Sequence, residues 1–348
     1  MPYKIGLVGL PNVGKSSLFH FLTKKDVIIE NYPFATIKPN IGIVPLADPR
    51  LEKLSKYWKS KKTTPSAIEI VDIAGLVRGA SQGSGLGNEF LSHIREVDLI
   101  YQVLRCFPEE EIIHVEKSVD PIRDFEIIQL ELILADLQQI ERKLKKLKVR
   151  DEKTQKEKEV LQLIHKNLEK EIPVSQLDLS EEGKELIKGY NFLTNKPILL
   201  LANHGGGEKE ILELRKYAEK KGLPLFPLAV KWEGEMEELS TEEKKEIGWE
   251  TTDFSLLTEK IKELLNLKTF FTTGRDETKS WLAKKIMNAR ECAGLIHSDI
   301  QKGFQQLEVY NYTDWLQFPP HESLKIRKER ADYLIQEGDI CYFRFGKN

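Results

Sequence analysis

Short apolar runs alternate with amphipathic stretches over the first hundred residues of the chain. The runs KIGLVGL (4–10), AIEIVDIA (67–74) and LIYQVLRCF (99–107) have the length of strands that are buried on both faces. Between them, KSSLFHFLTK (15–24) and LSHIREV (91–97) carry apolar residues at helical spacing. Strands that alternate with helices predict a parallel sheet with right-handed crossovers.

The same pattern returns after residue 190. KPILLLAN (196–203) and PLFPLAV (224–230) are predicted strands, and LELRKYAEKKG (212–222) is a predicted helix that ends at Gly222. The fold class is therefore α/β, with a segment of different character inserted between its two parts.

The inserted segment, residues 120–190, is charged and rich in leucine. Its apolar residues form two blocks with spacings of three and four, a period near that of a coiled coil. They are Leu130, Leu134, Leu137, Ile140, Leu144 and Leu147 in the first block and Leu161, Ile164 and Leu168 in the second. The polar stretch KVRDEKTQKEK (148–158) lies between the blocks. We expect an antiparallel helical hairpin, with two ordinary helices on the core as the alternative.

The pattern changes again after about Leu267. TFFTTG (269–274), GFQQLEVYNY (303–312) and DICYFRF (339–345) are predicted strands, and TKSWLAKKIMNA (278–289) is a predicted helix. A small mixed β domain is expected here.

Composition narrows the class of protein. The 348 residues carry a net charge of −2 and only three cysteines, so bulk charge selects no partner and no disulfide framework is expected. No apolar run approaches the roughly 18 residues that a membrane span needs. The apolar start of the chain is too short for a signal peptide and is interpreted as a strand. A soluble, cytoplasmic protein is expected.

The stretch GLPNVGKSSLF (9–19) contains the pattern G-x-x-x-x-G-K-S between a predicted strand and a predicted helix. That context is typical of a phosphate-binding loop. Gly9 and Gly14 allow close backbone approach, so that the loop amides and the helix N-terminus can face phosphates. Lys15 would reach the β and γ phosphates, and Ser16 would offer a hydroxyl to Mg²⁺.

Two further elements fit a nucleotide switch. Asp72 ends a predicted strand in VDIAG and could hold Mg²⁺ directly or through water, while Gly75 could bring its N–H to the γ phosphate. Thr36 is placed where a switch threonine would close over the metal. The alternatives are a plain strand-end turn and a loop threonine. A run of glycines follows and would suit a second switch: Gly75, Gly79, Gly83, Gly85 and Gly87.

Long strings of the sequence resemble the YchF family, the Obg-like ATPases, over nearly the whole chain. They are GLPNVGKSSLF, NYPFATIKPNIGIVPLADPRL, DIAGLVRGASQGSGLGNEFLSHIRE, LRCF, AGLIHSDIQKGFQQLEV and IQEGDICYFRF. The resemblance implies a Ras-like P-loop nucleotide-binding domain (1–119 and 191–267), an inserted α-helical coiled-coil hairpin (120–190) and a C-terminal β-grasp, or TGS, domain (268–348).

The resemblance also implies a function. It is that of a Mg²⁺-dependent, ribosome-associated nucleotide switch that prefers ATP over GTP and hydrolyses it slowly to ADP and phosphate. Slow hydrolysis agrees with Leu76, which stands where Ras-like enzymes have a water-positioning glutamine and cannot orient water by hydrogen bonding. Asn12 matches an asparagine that helps bind an activating K⁺ in related GTPases. His114 matches a family histidine proposed to assist catalysis, although a histidine beside a strand is the equal alternative.

The base-reading segment departs from both known patterns. Asn203 is followed by His204 and three glycines, so the Lys and Asp of the guanine-reading N-K-x-D motif are missing. Gly206 stands where the YchF family usually has an acid, and Glu208 comes two residues later. ATP is still the expected nucleotide because the contact that rejects adenine is missing.

The expected site divides into three sets of residues. The nucleotide-binding set is Asn12, Val13, Gly14, Lys15, Ser16, Ser17, Asn203, His204, Ala229, Val230 and Lys231. The catalytic set is Lys15, Thr36, Gly75 and His114. The metal set is Ser16, Thr36 and Asp72.

The positive charge of the chain is concentrated in two short clusters. Six cations lie between Arg142 and Arg150, at the predicted hairpin tip, and KIRKER (325–330) is a second cluster. Solvated helix faces often carry such runs, but together with the resemblance they predict contact with ribosomal RNA through the tip and the TGS domain. A monomer with no membrane partner is expected. The alternatives are a GTPase with an unusual base-reading loop and a non-enzymatic, nucleotide-gated ribosome-binding scaffold.

Overall fold

A computed structural model describes residues 2–23, 40–73, 85–108, 114–236, 239–246, 252–317 and 326–346. Within these ranges the chain forms two compact units. The first contains residues 2–23, 40–43 and 69–252, and the second contains residues 44–68 and 253–346. The prediction had placed residues 44–68 with the nucleotide-binding domain, whereas the compact units group them with the C-terminal part of the chain.

The secondary structure is numbered in chain order. The strands are β1 Tyr3–Val8, β2 Ile41–Pro45, β3 Lys62–Thr64, β4 Ala67–Asp72, β5 Leu99–Arg105, β6 Ile198–Asn203, β7 Leu225–Leu228, β8 Leu267–Thr272, β9 Glu277–Lys284, β10 Phe304–Asn311, β11 Arg327–Glu329 and β12 Asp339–Phe345. The helices are α1 Lys15–Thr23, α2 Pro49–Trp58, α3 Gly85–Glu96, α4 Pro121–Lys146, α5 Glu152–Leu168, α6 Glu181–Ile187, α7 Glu208–Lys221, α8 Val230–Met236, α9 Thr241–Glu246, α10 Phe254–Leu264, α11 Ala289–Ile296, α12 Ser298–Lys302 and α13 Tyr312–Gln317.

The first unit is built on a sheet with the strand order β2-β4-β1-β5-β6-β7. Strand β1 pairs in parallel with β5, β5 with β6, and β6 with β7, so the predicted parallel sheet is confirmed. All seven residues of β5 are buried, as expected for a central strand covered on both faces. The carboxyl ends of these parallel strands lie along one edge of the sheet, where α/β folds place their ligands.

Helix α4 packs in two ways along its length. Near its start, Phe125 lies in a core with Leu104 and Leu200 of the sheet. Further along, Ile140 packs in a separate core with Leu161 of α5. The two helices are joined by residues 147–151 and form the predicted hairpin, but the first turns of α4 follow the alternative of a helix on the sheet.

The first predicted apolar block needs one correction. Leu130 is 44% exposed, because the buried face of α4 runs through Ile128 and Ile133 instead. The second block is correct, since Leu161, Ile164 and Leu168 are all buried. Capping by Asp120, which accepts from the Arg123 amide, and the capping box at Asp151 fix where the two helices begin. The apolar residues that α4 buries are Phe125, Ile128, Leu132, Ile133, Ala135 and Ile140.

The second unit has a mixed sheet with the order β11-β10-β12-β8-β9-β3. The central strand β12 is parallel to β8 and antiparallel to β10. Cys292 and Ala293 of α11 pack on one face of this sheet with Phe270. Leu51 and Leu54 of α2 pack on the other face. Both faces are therefore covered, the second by a helix from residues 44–68.

The predicted helix over 278–289 is wrong, because residues 277–284 form strand β9. This strand pairs with β8 along its length, from Leu267 opposite Lys284 to Thr272 opposite Lys279. Thr278 and Ser280 are buried and bond to Ser60 and Ser66. Because one covered face of β9 carries small polar residues, the strand lacks the usual alternation of apolar and polar positions. Its lysine, leucine and alanine residues, which have high helix propensity, therefore favoured the prediction of a helix.

Glu337 joins three parts of the second unit. Its carboxylate accepts from Arg50 (Nη2, 2.6 Å), from Lys262 (Nζ, 3.2 Å) and from the backbone amide of Thr269 (2.8 Å). Lys262 and Thr269 are both buried, so these bonds are not simply replaced by water.

In the described parts of the chain, no helix is both long enough and apolar enough to cross a membrane.

Replacing Glu337 with alanine should lower the free energy of unfolding by about 1–3 kcal/mol, because it leaves the Thr269 amide and the Lys262 ammonium without this acceptor. Urea denaturation monitored by tryptophan fluorescence measures the change. Asp276→Asn is the matched control, since its partner Lys61 and Asp276 itself are largely exposed, and it should leave the midpoint unchanged. Equal midpoints for all three proteins would show that Glu337 does not connect these elements.

Candidate functional site

The loop between β1 and α1 has a backbone that requires glycine. Asn12 and Gly14 both have positive φ, at 62° and 96°. A Cβ on Gly9 would lie 2.7 Å from the carbonyl oxygen of Val103, and a Cβ on Gly14 would clash with Nδ2 of Asn203. The loop therefore closes tightly over β5 and β6, as the sequence motif predicted for Gly9 and Gly14.

Lys15 is the first residue of α1, and its side chain folds back into the loop. The ammonium donates to the carbonyl oxygens of Gly9 (3.0 Å) and Leu10 (2.9 Å). Only 8% of the residue is exposed, and burial lowers the pKa of Lys15 to about 8, against the opposing effect of Asp72. Among the described residues no carboxylate bonds directly to Lys15, and a buried cation of this kind favours an anion that enters the loop.

Ser16 and Asp72 meet beside the loop. The Ser16 hydroxyl donates to Oδ2 of Asp72 at 3.4 Å. Burial raises the pKa of Asp72, while Lys15, Ser16 and His20 act in the opposite direction. Asp72 ends strand β4, which places its carboxylate at the same edge of the sheet as the loop.

These two oxygens suit Mg²⁺. The ion prefers hard oxygen ligands and usually takes only one or two protein groups, with water and phosphate completing its shell. No cluster of three or more His, Cys, Asp or Glu side chains that could hold a metal occurs among the described residues. A hydroxyl and a carboxylate next to a phosphate-binding loop therefore fit Mg²⁺ bound together with a nucleotide.

Asn203 connects the loop to a second segment. Its Nδ2 donates to the carbonyl oxygen of Val13 (3.0 Å), and its Oδ1 accepts from the amide of Val230 (3.3 Å), the first residue of α8. The side chain is 95% buried, so both bonds are shielded from water. The structure thus brings the predicted residues Val13, Gly14, Asn203 and Val230 together.

The three glycines after His204 form a braced turn. The Gly205 carbonyl accepts from Nε1 of Trp232 (2.9 Å), and the Gly205 amide donates to Glu210 (2.6 Å). The Gly206 amide donates to Nδ1 of His204 (3.1 Å), and burial lowers the pKa of that imidazole. Gly206 has φ +110°, a conformation in which any side chain is strained, so this backbone favours glycine over the acid expected from the resemblance.

The remaining nucleotide-binding candidates differ in exposure. Ser17 and Lys231 are exposed, whereas Ala229 is buried, so only the backbone of Ala229 could take part in binding. Trp232 and Glu210 were not predicted. Trp232 ends the stretch LAVKW (228–232), whose backbone the resemblance predicts to read the base, but its contact with Gly205 was not expected. Nothing in the sequence marks Glu210 as a brace of the glycine turn.

His114 lies in a different environment from the loop. Its Nε2 is 2.8 Å from Oδ2 of Asp124 on α4, and its Nδ1 accepts from the amide of Glu116 (3.1 Å). His114 and Asp124 are both buried, and burial raises the pKa of Asp124 against the opposing effects of Arg123 and His114. These contacts fit the structural alternative, and a catalytic role for His114 stays a prediction. Thr36, Gly75 and Leu76 lie outside the described residues.

The two basic clusters also differ. The cations between Arg142 and Arg150 occupy the last turns of α4 and the connection to α5, and most are exposed. In the second cluster, Arg327 contacts Glu329 (3.6 Å), Asp339 (3.9 Å) and the hydroxyl of Tyr333 (3.0 Å). Arg327 is therefore partly neutralised within its own unit, whereas the cluster on α4 presents more uncompensated charge.

Protein families and known structures match this chain over nearly its whole length. A family model described as a 50S ribosome-binding GTPase matches residues 4–177, and the model for the C-terminal domain of YchF GTPases, described as a protein of unknown function, matches residues 267–346. The structure of the Schizosaccharomyces pombe YchF GTPase is similar with a TM-score of 0.85 and 34% identity, over 98% of this chain and 97% of that chain.

Curated relatives align over almost their whole length. The Ribosome-binding ATPase YchF of Bacillus subtilis is 42% identical, over 99% of this chain and 100% of that protein. The protein of the same name from Escherichia coli O157:H7 is 40% identical, over 99% of each chain. Identity at this level over nearly the whole chain shows that the protein belongs to the YchF family and has a Ras-like P-loop domain followed by a C-terminal domain.

Proposed function

We propose that this protein binds Mg·ATP in the loop of residues 9–16, hydrolyses it slowly to ADP and phosphate, and uses the nucleotide as a switch that controls association with the ribosome. The observation that carries the proposal is the loop itself, in which the buried ammonium of Lys15 is held by loop carbonyls beside Ser16 and Asp72. The family names support the ribosome and the ATPase activity, since the bacterial relatives are named ribosome-binding ATPases.

Each residue of the site has its own role in the proposed reaction. Lys15 binds and neutralises the phosphates, and the loop amides and the N-terminus of α1 donate to their oxygens. Ser16 and Asp72 would hold Mg²⁺, which neutralises charge on the phosphates when bound. Thr36 and Gly75 are proposed to contact the metal and the γ phosphate, and Asn12 to bind an activating K⁺. Hydrolysis is attack by water in line with the leaving group, and Leu76 offers no hydrogen bond to that water, so turnover should be slow.

We propose a preference for adenine because the base-reading segment lacks the residues that recognise guanine. The strand β6 ends in Asn203, but no lysine or aspartate follows at the positions that read guanine. Both backbone groups of Gly205 and the amide of Gly206 are already bonded within the turn. The edge of the base would therefore be read by His204 and by the backbone of residues 229–231, which follow β7.

A second candidate nucleotide is GTP. The solved relative is named a GTPase, and the matching family model is a GTPase model. A guanine-specific site would have to use the braced glycine turn in place of the usual aspartate. The fold and the phosphate site would be the same in both cases, so the choice depends on the base alone.

Equilibrium binding of ATP and of GTP with Mg²⁺, measured side by side on the purified protein, tests the proposal. ATP should bind more tightly, because the carboxylate that selects guanine is missing. Lys15→Ala is the control and should abolish tight binding of both nucleotides, since it removes the cation from the loop. Tighter GTP binding would make the protein a GTPase, and unchanged affinity of Lys15→Ala would refute the phosphate site. Turnover that stays negligible with K⁺ and ribosomes present would favour the non-enzymatic scaffold.

Nucleotide affinity should fall as the pH rises above 8. The pKa of Lys15 is about 8 in the free protein, and bound phosphates favour the charged form, so binding takes up a proton once the free amine is neutral. Between pH 7.5 and 9.5 the affinity should fall about 25-fold, in line with the loss of protonated Lys15. Titration calorimetry in two buffers of different ionisation enthalpy measures the uptake. Constant affinity without proton uptake up to pH 9.5 would show that Lys15 remains charged in the free protein.

Gly14→Ala should weaken nucleotide binding at least about tenfold, because its methyl group would strike Asn203 and φ at this position is positive. Fluorescence titration with a labelled nucleotide measures the loss. Gly234→Ala is the matched control, since a Cβ there meets no atom within 4 Å and the residue lies inside α8. It should bind normally. Normal binding by Gly14→Ala would mean that the loop can shift away from Asn203 without loss of function.

A further inference from the structure

The second unit contains a cleft of about 870 Å³, a size typical of small-molecule sites. Its walls come from the start of α2, from α10, from the beginning of β8, from the residue after β9 and from residues 335–337 before β12. Four cations and four carboxylates line the cleft, so neither sign of charge is in excess. The charges that lack a partner within the protein therefore decide what the cleft could bind.

One part of the lining is a closed network of ion pairs. The carboxylate of Glu337 accepts from Arg50 (2.6 Å) and from Lys262 (3.2 Å). Arg50 also donates to Asp48 (2.7 Å), and Lys262 donates to Glu259 (3.2 Å). The network contains two of the four cations and three of the four acids, so neither of its cations is left for an anionic ligand.

Lys268 is a buried cation without a carboxylate partner. Only 4% of the residue is exposed, and its ammonium donates to the carbonyl oxygens of Lys285 (2.8 Å) and Met287 (3.0 Å). An ammonium has three hydrogens, and the described residues offer no acceptor for the third. Burial lowers the pKa of Lys268, and the opposing effects of nearby groups, Asp339 among them, are smaller. An anionic group in the cleft would stabilise this ammonium.

The same arrangement occurs at the phosphate-binding loop of the first unit. There the buried ammonium of Lys15 also donates to two backbone carbonyl oxygens, and no carboxylate of the described residues bonds to it. In the second unit, Lys285 adds a further cation, since its side chain is exposed and forms no ion pair with the residues that the structure describes. Two such lysines favour an anionic group at this end of the cleft.

The acids available to a ligand lie on α10. Glu263 is exposed and has no ion pair within the described ranges. Glu259, one helical turn earlier, is also exposed and shares the ammonium of Lys262 with Glu337. Carboxylates four residues apart on a helix repel each other, and a cation bound beside them relieves that repulsion. This side of the cleft therefore favours a cationic group.

We propose that the cleft binds a zwitterionic ligand with one free carboxylate and one free ammonium group, the chemistry of an amino acid or a short peptide. The carboxylate of the ligand lies against Lys268 and Lys285, and its ammonium lies against Glu259 and Glu263. The equal numbers of cations and acids disfavour phosphates, which would bring further negative charge toward α10. The inference is independent of the proposed nucleotide chemistry, because every lining residue belongs to the second unit.

Titration calorimetry on the full chain tests the requirement for both charges. Glycine or triglycine, each with both ends free, should bind with a dissociation constant of about 1 mM or less, and the tighter of the two identifies an amino acid or a peptide as the ligand. N-acetyl-triglycine and triglycine amide, which each lack one charge, should bind at least about tenfold more weakly than triglycine. The proposal is overturned if neither free probe binds at about 10 mM, if the blocked probes bind as well as triglycine, or if inorganic phosphate binds more tightly than both free probes.

Two substitutions separate the ends of the cleft. Lys285→Ala should reduce the preference for triglycine over triglycine amide at least about threefold, and Glu263→Gln should reduce the preference for triglycine over N-acetyl-triglycine by a similar factor. Both side chains are exposed, so the fold should survive, and an unchanged urea midpoint verifies it. Lys268→Met should abolish the preference for a free carboxylate, and Lys285→Ala keeps the proposal testable if that variant does not fold.

The matched controls change the same charges outside the cleft. Lys61 and Asp276 form an exposed pair in the same unit and do not line the cleft. Lys61→Ala and Asp276→Asn should therefore bind all probes as the unaltered protein does. Equal losses in the control and cleft variants would mean a general charge effect and would overturn the proposal, as would unchanged preferences in both cleft variants. Lys15→Ala should lose ATP but still bind the zwitterionic probe, which separates failure of this inference from failure of the proposed function.

Discussion

The side chain of Asn203 is the contact on which the geometry of the site depends. It is buried at the end of β6 and bonds at once to the carbonyl of Val13 and the amide of Val230. Because β6 is paired on both sides, by β5 and β7, this amide cannot move without disturbing the sheet. The position of Asn203 in turn leaves no space for a Cβ on Gly14. One buried amide therefore fixes the loop, the start of α8 and the choice of glycine.

Burial also sets the electrostatics around the loop. It shifts the pKa of Lys15 downward and that of Asp72 upward, so each group is biased toward its neutral form, and each opposes the shift of the other. The carbonyls of Gly9 and Leu10 hold the ammonium but carry no net charge to compensate it. A site with these two groups should bind most tightly a ligand that supplies both negative charge and a metal, because the phosphates stabilise charged Lys15 and the cation stabilises ionised Asp72.

The sequence predicts those parts of the fold and site that local patterns determine. The loop, β1, α1, the strand that ends in Asp72 and the helix that ends at Gly222 were all expected, since each depends on motif, periodicity or capping within a few residues. Strand β9 was missed because one covered face carries Thr278 and Ser280 instead of apolar residues, and the serines they contact lie more than two hundred positions away. The brace of Trp232 and Glu210 on Gly205 was missed for a similar reason, since it forms only when α7 and α8 meet the glycine turn.

Helix α4 shows how one element can serve regions that sequence patterns treat as separate. Its 26 residues give a length of about 39 Å. Phe125 at its start belongs to the sheet core, Asp124 pairs with His114, and Ile140 belongs to the hairpin core. The buried Asp136 fixes the middle of the helix to residues 193–194, just before β6. These contacts set the position of the basic last turns of α4 relative to the strand that carries Asn203. The charge pattern of α4 alone suggested a solvated hairpin, because the contacts that hold it come from residues distant in the sequence.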